Sequence, residues 1–207
     1  MTQQIMNSLG VLTEFALNIT YAEIKEKYSE PHRYYHTFTH IEFLIKKINE
    51  FFGKGLIIKE ERDILILTAL FHDIIYNPQK TDNELQSVNF LKSKMFTKMT
   101  PEIQKVCDII LATKSHNKTG DKLTDMFCGL DMWYLTNGTF IEIFEDERKI
   151  FKEYQFVDYD TYKMERCKFL QQVINSDYGI DNKSNLNLLI KWIENCDRDD
   201  DGYLILK

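Results

Sequence analysis

The sequence predicts an all-α protein, a single-domain helical bundle over residues 1–207, and three observations carry that expectation. Three prolines and eight glycines in 207 residues leave few breakers, which favours long helices over many short strands. Apolar residues recur at i, i+3, i+4 and i+7 in most segments. Thr-x-x-Glu pairs and one Thr-Pro mark helix starts. With 43% hydrophobic and 28% charged residues, the chain has an ordinary globular composition, and its length buries about 70% of its extended surface.

The elements follow in order. Thr39-His40-Ile41-Glu42 reads as a capping box. Behind it Ile41, Leu44, Ile45, Ile48 and Phe52 share a helical face, and Gly53 and Gly55 end the segment. The next apolar run, about 59–76, is too long for a strand and reads as a buried helix. Asn77-Pro78 breaks it. Asp82 or Asn83 then caps a third helix through Leu85, Val88, Leu91 and Met95. Thr100 followed by Pro101 opens a helix carrying Ile103, Val106, Cys107 and Ile110. Residues 117–121 form a turn, and a short helix over about 125–135 is interrupted at Gly129. Thr139-Phe140-Ile141-Glu142 is a second capping box, opening a helix to about Tyr154. Two more helices cover about 159–175 and 184–196. No internal repeat and no Pro/Gly/Ser linker divides the chain.

Composition excludes several roles. A net charge of −6 lacks the basic footprint that a long nucleic acid requires, although a small phosphorylated substrate needs only a local cation or a metal. Cys107, Cys128, Cys167 and Cys196 are 21, 39 and 29 residues apart, neither a zinc-finger spacing nor a secreted scaffold, so reduced thiols are expected. The polar N-terminal segment predicts no secretory leader. The longest apolar run, 64–71, falls far short of the roughly 20 residues that span a bilayer. A cytoplasmic protein with no membrane partner is expected. Asp197-Arg198-Asp199-Asp200-Asp201-Gly202 imitates the start of a calcium loop but lacks the closing acid, so 197–207 reads as a solvated acidic tail.

The chemistry begins at His72-Asp73. An imidazole and a carboxylate stand side by side in the apolar run 64–76, where no Lys or Arg is available. Burying an unpaired carboxylate costs several kcal/mol, comparable to the stability of a domain. The segment therefore asks for a distant cationic side chain or a metal. All five histidines, His32, His36, His40, His72 and His116, lie in the first 116 residues. His40 opens one helix, His72-Asp73 lies near the end of another, and Asp131 belongs to a later short helix. Helix ends of a bundle can converge on one point. Two imidazoles and two carboxylates suit one divalent ion of the Mn, Fe, Co, Ni, Zn or Mg class, and metal-assisted hydrolysis needs such a set with positions left for water and substrate.

The order His, His-Asp, Asp on helices resembles the HD superfamily of metal-dependent phosphohydrolases, and in particular a branch of small predicted members. That likeness is carried by Tyr28-Ser29-Glu30-Pro31-His32-Arg33-Tyr34-Tyr35-His36-Thr37-Phe38-Thr39-His40-Ile41, by Phe71-His72-Asp73-Ile74-Ile75-Tyr76 and by Asp82-Asn83-Glu84-Leu85-Gln86-Ser87. Leu111-Ala112-Thr113-Lys114-Ser115-His116 and a later Asp-containing segment complete it, over about 28–170. The resemblance implies an HD-type bundle with metal ligation by His40, His72, Asp73 and Asp131. The branch usually carries Asp-Ala-Asp-Leu where this chain has Gly129-Leu130-Asp131-Met132, and Ile-Arg-x-Glu-Tyr where it has Ile150-Phe151-Lys152-Glu153-Tyr154. Arg148 or Lys152 is then a candidate to replace the lost arginine.

Other residues have candidate roles. Glu84, with Asp73, is a candidate catalytic residue that orients water or takes a proton; as a first-turn acid it would also suit the helix dipole. Arg33 and Lys114 suit a phosphate clamp, or ordinary surface ion pairs. His36 and His116 suit pocket-lining or hydrogen-bonding roles beside the metal. Tyr34, Tyr35 and Tyr76 are candidates to stack on a base or bind phosphate, while Trp133 and Trp192 read as core or pocket wall. The expected function is hydrolysis of a small phosphorylated molecule such as a nucleotide. A di-iron oxygenase of the same fold and a non-catalytic metal-containing binding module are the alternatives.

Overall fold

The computed structural model describes residues 3–176, 178, 182–198 and 204–206. It is all-α apart from one short two-stranded ribbon. With no linker in the sequence to mark a boundary, the chain divides into two compact units, Met1–Asp131 and Met132–Lys207.

The first unit holds α1 (Gln3–Ser8), α2 (Val11–Glu14), α3 (Tyr21–Lys27), α4 (Phe38–Gly53), α5 (Lys59–Phe71), α6 (Asn83–Ser93), α7 (Pro101–Ala112) and α8 (Lys122–Asp131). Helix α5 is its centre: every residue from Asp63 to Phe71 is buried, because α2, α4, α6, α7 and α8 all pack on it. Each Leu or Ile so enclosed contributes about 1.5–3 kcal/mol.

Some helix starts follow local chemistry and others do not. At α3, Thr20 Oγ accepts the Glu23 amide while Glu23 returns a carboxylate oxygen to the Thr20 amide at 2.8 Å. Thr100 caps α7, with Pro101 at its first position, as the sequence predicts. The box expected at Thr39 and Glu42 does not form: α4 starts at Phe38 with Thr37 as its cap. Phe38 packs edge-on against Tyr21 and Tyr28, and that contact pulls the start upstream. At the other end of α4, Gly55 adopts φ +70°. Its amide bonds Phe52 O and the Leu56 amide bonds Phe51 O, which closes the helix with a left-handed glycine.

Helix α5 stops at Phe71 rather than continuing to Tyr76. In a longer helix the carbonyl of Ile74 would need the amide of residue 78, a proline without one. The Asn77 amide that Asp73 would need goes instead to Asn83 Oδ1 at 3.0 Å. The guanidinium of Arg33 takes both carbonyls, at 2.8 Å and 3.2 Å, and Ser87 Oγ accepts the Ile75 amide.

The second unit holds α9 (Trp133–Asn137), α10 (Phe140–Glu153), α11 (Tyr159–Asn175) and α12 (Lys183–Asn195). The helix break falls at Met132; Gly129 lies inside α8, contrary to expectation. Leu135, Ile143, Phe151, Leu170, Leu189 and Ile193 belong to its core. Phe151, where the resemblance leads one to expect arginine, packs against Tyr159 and Tyr162. The expected solvated tail is partly structured: β1 (Cys196–Arg198) pairs antiparallel with β2 (Leu204–Leu206). Residues 199–203, which carry most of the calcium-loop-like sequence, lie outside the described residues.

The second expected capping box does form. Thr139 Oγ accepts the Glu142 amide at 3.4 Å, and Glu142 accepts the Thr139 amide at 2.8 Å. Thr139→Ala is therefore expected to cost about 1 kcal/mol in urea unfolding. Thr39→Ala, which removes no cap, is expected to leave the midpoint almost unchanged.

Candidate metal centre

Three helix ends of the first unit deliver the site. His40 lies in the first turn of α4, His72 caps the C-terminus of α5 with Asp73 following it, and Asp131 is the last residue of α8. One turn before Asp131, Phe127 packs its ring edge-on to His72 at 5.4 Å, so α8 presents both residues to the same place.

His72 is the deepest member, 1% exposed. Its Nδ1 lies 3.0 Å from the carbonyl of Ala69, an arrangement that puts the proton on Nδ1 and leaves the Nε2 lone pair available. That Nε2 is buried and makes no hydrogen bond of acceptable geometry among the described residues. Yet Asp73 Oδ2 lies 3.1 Å from it and Asp131 Oδ1 lies 3.5 Å from it. Donors about 2.0–2.3 Å from one ion would stand about 3–4.5 Å apart, a spacing these atoms fit.

The other donors surround the same point. His40, His72 and Asp73 each place a ligand atom within 4.8 Å of the others, so this group could hold a metal ion. Asp131 adjoins them, with Oδ1 2.9 Å from His40 Nε2. Its other oxygen lies 2.9 Å from His116 Nε2, and His36 Nε2 lies 4.0 Å from Asp73 Oδ2. His36 and His116 are each about one-fifth exposed, which puts them toward solvent from buried His72. His116 reaches Asp131 with φ +50°, a left-handed region that a non-glycine residue adopts at a cost.

The electrostatics bind the group together. Burial works against the His72 cation, but the carboxylates of Asp73 and Asp131 hold its pKa well above the usual imidazole value. Burial likewise opposes ionisation of Asp73 and Asp131, and His72 with the neighbouring imidazoles holds both below the carboxylate range. A divalent ion would meet the same carboxylates in place of the His72 cation.

The remaining candidates are differently placed. Arg33 is not a phosphate clamp: its side chain is fully buried and its donors are spent on the carbonyls of His36, Asp73 and Ile74 and on Glu30. Tyr76 is buried, and its ring is stacked on His36 at 4.2 Å and on His32 at 6.2 Å with Arg33 over it, so it offers no face to a nucleobase. His32 Nε2 bonds the Tyr76 carbonyl at 2.8 Å. Lys114 is exposed and donates to the Thr81 carbonyl. Glu84 stands in the first turn of α6, and among the described residues no hydrogen bond or ion pair links it to the histidine–aspartate group. Arg148 pairs with Glu145 at 3.6 Å on α10. Trp192 is core, edge-on to Phe144.

No protein-family model, curated protein or solved structure matches the chain. Among the described residues no helix is long and apolar enough to cross a membrane.

Proposed function

We propose that the protein is an HD-type metal-dependent phosphohydrolase acting on a small phosphorylated molecule such as a nucleotide. The buried Nε2 of His72, without a well-aligned hydrogen bond among the described residues and facing two carboxylates while Nδ1 is committed to Ala69, is the observation that supports a metal in this reading. His40, His72, Asp73 and Asp131 would hold the ion. When bound, it would act as a Lewis acid on a phosphoryl oxygen and lower the pKa of a water molecule. His116 orients Asp131 from its far oxygen, and His36 lies beside Asp73 on the partly exposed side, where each can pass a proton to or from solvent.

Phosphate release from a panel of phosphomonoesters and nucleotides, with Mn, Co, Ni, Zn or Mg supplied in turn, tests the proposal. Activity that depends on metal and is stopped by chelation is the expected result. Metal-loaded protein that is inert on the whole panel rules out hydrolysis of these substrates. The position of His36 and His116 beside Asp73 and Asp131 also supplies the additional imidazoles that a di-iron oxygenase requires. Oxygen consumption by the iron-loaded protein, without phosphate release, would select that second reading.

A further inference from the structure

Arg33 has no place in the proposed chemistry, yet it is the most heavily committed side chain near the site. Its Nη1 donates to the carbonyls of Asp73 at 2.8 Å and His36 at 3.2 Å. Nη2 donates to the carbonyl of Ile74 at 3.2 Å, and Nε donates to Glu30 at 2.9 Å. Tyr28 and Tyr76 lie against the guanidinium at 5.0 Å and 5.3 Å. These carbonyls belong to two turns: one ends four residues before His40, the other begins one residue after His72. One planar cation therefore ties the entry of α4 to the exit of α5, the two places that supply His40, His72 and Asp73.

Two physical reasons place a cation there. The helix end leaves the carbonyls of Asp73 and Ile74 without amides, because residue 78 is proline and the Asn77 amide is taken by Asn83. A positive charge at a helix C-terminus also opposes the helix dipole. A rigid fork holds several carbonyls in one plane, which a lysine ammonium does not. Because the Asp73 carbonyl and side chain share one Cα, holding the carbonyl fixes the backbone from which the carboxylate projects.

We propose that Arg33 is a positioning residue of the metal centre, fixing the spacing and angle at which Asp73 meets His72 and His40. This rests on the metal reading above. Cobalt(II) is the probe, with affinity from competition against a chromophoric chelator and geometry from its visible absorption spectrum. Arg33→Lys keeps the charge and loses the fork, and Ile109→Ala removes buried side-chain volume from α7 as a control for stability alone. Arg33→Lys is expected to weaken cobalt binding about 10–100-fold and to shift the spectrum, whereas Ile109→Ala lowers the melting temperature with both unchanged. Should Arg33→Lys not fold, Glu30→Gln, at a partly exposed position, loosens the fork and is expected to weaken cobalt binding a few-fold with a shifted spectrum. Wild-type affinity and spectrum in the folded Arg33→Lys protein, or in Glu30→Gln in its place, overturn the inference alone. Absence of cobalt binding by the wild-type protein overturns the metal reading and the inference with it.

Discussion

In Asp131→Ala, added divalent metal is expected to leave the melting temperature where it stands without metal, and phosphate release is expected to fall to background. The carboxylate of Asp131 lies within 2.9 Å of both His40 and His116 and 3.5 Å of His72, so its loss removes one donor and the orientation of two others. Folding itself is expected to survive, because α8 is anchored by Leu123, Phe127, Cys128 and Leu130. The wild-type protein should gain about 2.7 kcal/mol at a metal concentration 100 times Kd, visible as a rise in melting temperature that chelator reverses. A variant that gains the same rise does not use Asp131 as a ligand, and the proposed centre then shrinks to His40, His72 and Asp73.

That centre was legible from sequence to the extent that burial forced it. His72-Asp73 in an apolar run demands a partner, and helix-terminal positions for His40 and Asp131 make convergence possible. The contacts that complete the site were not legible. The bond from His116 to Asp131 depends on a left-handed backbone at a histidine, one residue before the turn that the sequence marks at 117–121. Arg33 reads as a phosphate clamp or a surface ion pair until the end of α5 is known. Only then do Pro78 and the committed Asn77 amide show why its fork faces inward.

The fold shows the same division between local and distant causes. Capping at Thr100 and Thr139 is decided within four residues and follows from sequence. The start of α4 is decided by Tyr21 and Tyr28 packing on Phe38, contacts that no local pattern contains. The short ribbon of β1 and β2 likewise arises by pairing between segments, not from the acidic composition between them.

Glu147→Ala is expected to destabilise the protein by about 3–5 kcal/mol, the range for stranding one partner of a buried ion pair. Glu147 is wholly buried and accepts from Tyr162 Oη at 2.6 Å, Arg166 Nε at 2.9 Å and Arg166 Nη2 at 2.7 Å. Burial works against the Arg166 cation, and Glu147 more than offsets it. Without the carboxylate, the guanidinium keeps Tyr134 Oη at 3.3 Å and the face of the Phe169 ring at 4.9 Å among the described residues, and the Tyr162 hydroxyl loses the Glu147 acceptor. The sequence hides this arrangement, since an acid and an arginine 19 residues apart on two helices read as solvated faces. The double variant Glu147→Leu with Arg166→Met is expected to recover most of the loss, because removing both charges leaves an apolar core with no stranded cation. Guanidinium unfolding of wild type, Glu147→Leu, Arg166→Met and the double variant closes the cycle. A Glu147→Ala protein within about 1 kcal/mol of wild type would place the pair among interactions of surface strength, despite its burial.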